Sequence, residues 1–328
     1  MNVVNTTPPI VSVCILTFNH TECIKQALES VLSQKCSFSY EIVITDNCST
    51  DGTQKLLKEY EEKYPDIIRL YLEEAPISFV DNNKAYFTRT SGKYIAILDG
   101  DDYWCYEKKL ETQVAFLEEN GDYNGCFHDE EILHSVDTLD ARKEAQSFNR
   151  FRSYSQINYY PTILFPEHII QRTIVPSSSL VFRKTKKQKA QAERFPLNFD
   201  LSADWLGMLE VVRSSKLRYF NHQWSVYRDH PKGISKDVPS FRFHEVHVDI
   251  LRLFLKDEFY GSPRYKHIVL GQVAEEYLML YNLDFTASYK RLFKYALLHT
   301  AYSTLKGWSF VFYVIKSQME ERRLQKRG

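Results

Sequence analysis

Two aspartates one residue apart, Asp99 and Asp101, close an apolar run that reads YIAIL from Tyr94 to Leu98. In extended backbone, residues i and i+2 project to the same side. Two carboxylates held together repel unless they share a proton or a cation. Oxygen ligation of this kind suits a hard divalent ion such as Mg²⁺ or Mn²⁺ that keeps positions open for phosphate oxygens. The bland alternative is a solvated acidic turn that caps the next helix. The place of the pair directly after YIAIL tips the balance toward the ion.

Two other apolar runs end in polar residues. VSVCIL (Val11 to Leu16) leads into Thr17-Phe18-Asn19, and EIVIT (Glu41 to Thr45) leads into Asp46. In open α/β sheets, ligands bind beyond the carboxyl ends of the strands. Asp and Asn are also common turn residues, so Asp46 reads equally as a turn former. Asp204 opens a helical stretch and is an N-cap candidate. Tyr103 and Trp104, just after the acidic pair, are either a stacking surface or core anchors. Lys184, Lys186, Lys187 and Lys189 make a basic run, by default a solvated loop and otherwise a contact for an anion. His244-Glu245-Val246-His247 resembles a zinc-protease helix motif, but its histidines are three apart rather than four, and it is set aside. No G-x-G occurs in the chain, so a dinucleotide fingerprint and a phosphate-binding P-loop are excluded.

The elements that must position these residues follow from hydrophobic period. Val11 to Leu16, Glu41 to Thr45, Ile67 to Leu72 and Tyr94 to Leu98 are predicted strands. Helices are predicted over 22–32, 55–63, 82–90 and 107–119. Strand and helix alternate with short connections, the pattern of an open, mainly parallel α/β sheet. Further on, 179–183 and 217–221 are predicted strands and 203–213 a helix. From about Phe241 the pattern is helical, with a boundary expected at 235–240.

The chain has 328 residues, 42 basic and 42 acidic, with 44% hydrophobic residues and 14% aromatic. That balance argues against a general nucleic-acid binder and against whole-chain disorder. The six Cys, at 14, 23, 36, 48, 105 and 126, form no C-x-x-C and read as free thiols in a reducing compartment. Residues 1–9 do not read as a signal peptide and no run is long enough to span a membrane, so a cytoplasmic or membrane-peripheral protein is expected.

Taken in order, VSVCILTFNH, EIVITDNCSTDGT and SGKYIAILDGDDYW resemble the family 2 glycosyltransferases with the GT-A fold. Ser178 to Arg183, Ala203-Asp204-Trp205 and Val226 to Pro231 extend the resemblance, which covers roughly residues 11–235. It implies a GT-A domain over 1–238, with a nucleotide-sugar half to about 130 and an acceptor half from 131, and a helical subdomain over 239–328.

The resemblance also implies roles. Thr17, Phe18, Asn19, Asp46, Asn83, Lys84, Asp99 and Gly100 would bind the nucleotide sugar, with Asp46 accepting from the base or ribose. Asp99, Asp101 and His230 would hold Mn²⁺ or Mg²⁺. Asp204 would be the general base, and Asp102, Tyr103 and Trp104 would meet the donor or acceptor sugar. Arg228 would support the fold. Asn82-Asn83 stands where many relatives have Arg-Asn, and Ala203 where many have an acid. The implied activity is inverting transfer from a UDP-hexose or UDP-N-acetylhexosamine to a glycan or lipid-linked glycan of a bacterial capsule, O-antigen or exopolysaccharide. Two rivals are a silent glycan-binding or scaffold protein and a sugar nucleotidyltransferase. The first would tolerate loss of the acids, and the second needs an early glycine-rich loop that TFNHTEC lacks.

Residues 286–328 carry nine basic and two acidic side chains, net +7, interleaved with aromatics. The rest of the chain, with 33 basic and 40 acidic residues, is net −7. The tail reads either as a basic helical subdomain or as an interfacial segment resting on an anionic membrane.

Overall fold

The structure is a computed structural model and describes residues 8–134, 162–171, 175–186, 202–213, 215–231, 233 and 239–283. The basic tail over 286–328, Lys187 and Lys189 lie outside them. The chain divides into two compact units, Met1–Ile169 with Ile174–Lys236 and Ile170–Thr173 with Asp237–Gly328.

The first unit is built on β1 (Val11–Thr17), β2 (Tyr40–Asp46), β3 (Ile68–Leu72) and β4 (Tyr94–Asp99), separated by α1 (Ile24–Leu32), α2 (Thr53–Lys63) and α3 (Phe79–Thr88). After β4 come β5 (Tyr103–Trp104), α4 (Lys109–Glu119), β6 (Gly125–His134), β7 (Ile163–Leu164) and α5 (Pro166–Gln171), of which the residues up to Ile169 belong to this unit. A 3₁₀ turn (Ser177–Ser179), β8 (Val181–Arg183), α6 (Ala203–Val212) and β9 (Leu217–Asp229) complete it. The described strands form one mixed sheet in the order β3-β2-β1-β4-β8-β6-β9-β5, with β7 also paired to β9. Strands β1 to β4 are mutually parallel, and β8 runs antiparallel to β4.

Every residue of β1 is buried, as befits a central strand with parallel neighbours on both sides. Val11, Val13 and Ile15 of β1 pack with Ile42 and Ile44 of β2, Ala96 and Leu98 of β4, and Ile24, Leu28 and Val31 of α1. Truncating Ile15 or Ile44 to Ala would cost about 2–5 kcal/mol.

The register sets where the polar strand ends lie. Thr17 pairs with Asp46 and Leu16 with Asp99, so three strand ends are level along one edge of the sheet.

The second unit contains α7 (Ser240–Phe254) and α8 (Pro263–Leu283), which pack against each other. Among the described residues no helix is long and apolar enough to cross a membrane. The six cysteines are unpaired.

Candidate active site

Asp46, at the end of β2, is fully buried. Its Oδ1 accepts from the Ser49 backbone N–H (2.9 Å) and from Gln54 Nε2 (2.7 Å). Its Oδ2 is buried and has no hydrogen-bond partner among the described residues. A buried carboxylate oxygen without a donor is costly, and it keeps the capacity to accept an N–H or hydroxyl once the surrounding loops admit one.

The loop after β1 is locked to the loop after β2. Asn19 sits in the left-handed region (φ 55°), where its N–H donates to Ser49 Oγ and its Oδ1 accepts from the Thr50 N–H. The His20 N–H donates to Thr53 Oγ1. Phe18, just before Asn19, has 43% of its surface exposed, an aromatic ring held out from a rigid turn.

The end of β4 turns through Gly100, whose N–H donates to the Leu16 carbonyl (2.8 Å). A β-carbon there would meet Thr17 Cβ and Oγ1 at 2.7 Å and His20 Nδ1 at 2.9 Å, so the approach of the two loops requires glycine. Asp99 Oδ2 accepts from Ser177 Oγ (2.7 Å). Burial, then the charges of Asp101 and Asp204, push the Asp99 carboxyl up to about 7. Burial opposes ionisation of Asp101 too, but the hydrogen bond from His230 and the nearby His20 hold it below the usual carboxylate range. His230 Nε2 lies 3.0 Å and His20 Nε2 3.6 Å from Asp101 Oδ2. Burial lowers the His20 imidazole below its ordinary value. Asp101 and His230 are in hydrogen-bond contact and the Asp101 charge bears on Asp99, a like-charge strain that a divalent cation would relieve; the ligand atoms of the three do not all lie within 4.8 Å of one another, so a shared ion requires side-chain movement. The donor set fits Mn²⁺ or Mg²⁺.

Asp204 lies in the first turn of α6, exposed, and the cap position belongs to Ser202. Asp204 lines a largely apolar cavity with Asn83, Lys84, Tyr86 and Ser177. Ser177 links that cavity to Asp99 through its hydrogen bond. Within it, Asn83 Nδ2 donates to the Phe79 carbonyl and Lys84 Nζ pairs with Asp81 at 2.7 Å.

Two expectations for sugar contacts change. Asp102 is 1% exposed, and its oxygens accept from Ser178 Oγ (2.7 Å) and the Arg228 N–H (3.0 Å). It ties β9 to the β4 turn and has no face left for a sugar; burial, then Asp101 and Asp99, raise its carboxyl well above the ordinary value. Trp104 is 4% exposed and its indole N–H donates to the Ser178 carbonyl (2.8 Å). It is a core anchor, with the buried Lys109 ammonium 4.1 Å over its ring; burial lowers that lysine to about 7. Tyr103 is half-buried beneath the Arg228 guanidinium (4.7 Å). Arg228 also donates to the Asp101 carbonyl and to Gln26 Oε1, so it braces the acidic turn. Of the basic run, Lys184 donates to the Thr90 carbonyl.

Sequence reasoning missed His20 and Ser177. A histidine three residues past a strand end and the first of three serines carry no pattern of their own, and only the fold brings them to Asp101 and Asp99. It also missed Glu130 of β6, whose carboxyl is pushed up to about 8 by burial and by Asp129 and Asp99.

The profile of Glycosyl transferase family 2 matches residues 12–184, more than half of the chain. The chain belongs to that family. The same span holds the β1, β2 and β4 ends and their acids. Among curated relatives, an uncharacterised protein of Mycobacterium bovis is 26% identical over 223 residues, 68% of this chain and 60% of its own length. The chain therefore spans about 60% of that relative. A protein of Bacillus subtilis named "Putative teichuronic acid biosynthesis glycosyltransferase TuaG" is 41% identical over 111 residues, 34% of this chain and 43% of TuaG. Among solved structures, S. aureus TarS 1-349 in complex with UDP-GlcNAc superposes with a TM-score of 0.58 at 16% identity, covering 93% of this chain and 79% of that one. A mannosyltransferase of Pyrobaculum calidifontis in complex with GDP-Man and Mn²⁺ gives 0.55 at 15% identity, covering 96% and 81%. At these identities the structural likeness speaks for the fold, which is GT-A.

Proposed function

We propose that this family member is an inverting glycosyltransferase that moves a sugar from a nucleotide-diphosphate sugar to a hydroxyl of a glycan acceptor. The donor is a UDP-hexose or UDP-N-acetylhexosamine, and the product belongs to a bacterial surface polysaccharide. One observation carries the reading. Asp46, whose Oδ2 has no hydrogen-bond partner among the described residues, lies level with Asp99 along one edge of the sheet, and the turn after Asp99 brings Asp101 to His230, the distribution a base-ribose end and a diphosphate end would need. The UDP-GlcNAc bound by TarS and the teichuronic acid role in the name of TuaG support the donor and product classes.

Asp46 accepts from the base or ribose, and Phe18 and Asn19 frame that end. Asp99, Asp101 and His230 would hold Mn²⁺ or Mg²⁺, which supplies positive charge for the departing diphosphate when bound. Asp204 takes the proton of the acceptor hydroxyl as its oxygen attacks the anomeric carbon. The bond from that carbon to the diphosphate oxygen breaks, its electron pair leaves with the nucleotide, and configuration inverts. General base catalysis of this kind contributes about 10²–10⁴-fold. The transfer domain is assigned to residues 1–238, and the protein to the cytoplasm or the inner face of the membrane, with the basic tail as the surface contact.

The test is a thermal-shift screen of nucleotide sugars with Mn²⁺, followed by an assay for nucleoside diphosphate release with glycan acceptors. At least one UDP-sugar should raise Tm only when the metal is present. No metal-dependent shift with any nucleotide sugar would overturn the proposal.

A further inference from the structure

His244-Glu245-Val246-His247 fails as a protease motif on spacing, yet three apart on a helix is still one face. On α7 both imidazoles turn to α8, where Glu276 is buried. His244 Nδ1 is 2.7 Å from Glu276 Oε2, and His247 Nδ1 is 3.3 Å from Glu276 Oε1. The potential ligand atoms of the three residues all lie within 4.8 Å of one another. Gln272, one turn earlier on α8, donates through Nε2 to Glu276 Oε1 (3.2 Å) and fixes the carboxylate plane.

We propose that His244, His247 and Glu276 form a second metal site, in the helical unit, that takes Zn²⁺ or a similar borderline divalent ion. Two imidazole nitrogens and one carboxylate oxygen are a recurrent zinc donor set, with a fourth position left to water. Ligands about 2.0–2.2 Å from one tetrahedral ion stand roughly 3.3–3.5 Å apart, so the observed spacing needs only side-chain adjustment. The two imidazoles are 26% and 19% exposed, open enough for an ion to enter, while the carboxylate is held from behind by Gln272. Such a hydrogen-bonded carboxylate is the usual way a ligand is oriented. The donors come from two helices, so an ion here would join α7 to α8 as metal sites do in helix bundles. The site uses none of the acids of the sugar-transfer reading and stands independently of it.

Zinc content tests it. The full chain and its Asp101→Ala variant, both stripped with chelator, are incubated with ZnCl₂ alone, passed through gel filtration and measured for metal. One zinc per chain retained by both, and lost from Glu276→Gln and from the His244→Ala/His247→Ala double variant, is the expected result. Equal zinc in the double variant, or none in the unmodified chain, overturns the site. Should the variants fold poorly, Co²⁺ titration of the Asp101→Ala chain, which lacks the acid of the transfer site, decides: a visible absorption band abolished by Zn²⁺ supports it, and no band refutes it. A lower Tm in Glu276→Gln with no zinc bound by the unmodified chain would mean an ion-pair clamp only, and also overturns it.

Discussion

His230 Nε2 lies 3.0 Å from Asp101 Oδ2 across 129 residues of sequence, joining the loop after β9 to the turn after β4. The contact rests on two supports. Asp102 receives the Arg228 N–H, and the Arg228 guanidinium reaches the Asp101 carbonyl. The end of β9 is thereby pinned to the acidic pair. His230→Ala should keep the fold and weaken Mn²⁺-dependent nucleotide binding by about 10–100-fold, the usual cost of losing a ligand or its orienting partner. Calorimetry with UDP at saturating Mn²⁺ measures it, and an unchanged affinity would remove His230 from the site.

Asp46→Asn keeps an acceptor for Ser49 and Gln54 but replaces one carboxylate oxygen by an amide nitrogen. If Oδ2 receives a ligand N–H or hydroxyl, affinity for UDP should fall by roughly 10–100-fold, the worth of a hydrogen bond to a charged group. Tm without ligand should change little. Loss of stability with unaltered UDP affinity would make Asp46 a turn residue only.

The raised Asp99 carboxyl gives a pH signature. Its ordinary value is 3.8 and the folded chain holds it at about 7, so between those values the folded state keeps a proton that the unfolded state releases. Metal-free stability should therefore decline as pH rises through that window. Mn²⁺ affinity should move the other way, because binding needs the deprotonated acid, strengthening by up to about 10-fold per pH unit until pH 7 and levelling above it. Asp99→Asn should flatten both curves, as read by denaturant titration and by Mn²⁺ calorimetry.

Asp204→Asn should leave donor binding intact and reduce turnover by about 10²–10⁴-fold, since only the proton transfer is removed. Turnover close to that of the unmodified chain would place the base elsewhere, and the raised carboxyl of Glu130 would be the next residue to substitute.

The strands that build the site are legible in the sequence because they are buried on both faces. VSVCIL, EIVIT and YIAIL are apolar almost throughout, and the acids that end two of them mark the carboxyl edge. β6 is not legible, since GCFHDEEILH mixes acids and histidines into a strand of the same sheet. β9 is longer than expected: HQWSVYRD continues it, and the consecutive exposed polar residues His222 and Gln223 break the alternation that would mark a strand. The helix predicted over 82–90 begins earlier, at Phe79, because Ser78 accepts the Asp81 N–H and caps it. Trp104 and Asp102 turn inward rather than toward a sugar, and a sequence does not say which side of a turn faces the core. His20, Ser177 and the pairing of Glu276 with His244 and His247 depend on tertiary contact, 29 to 81 residues from their partners.

The most direct measurement compares UDP binding to the unmodified chain and to Asp101→Ala, each with Mn²⁺ and with excess chelator. A metal-assisted transferase site requires binding that depends on Mn²⁺ in the unmodified chain and is lost in Asp101→Ala, with circular dichroism unchanged. Equal binding in all four conditions, or none in any, would contradict it.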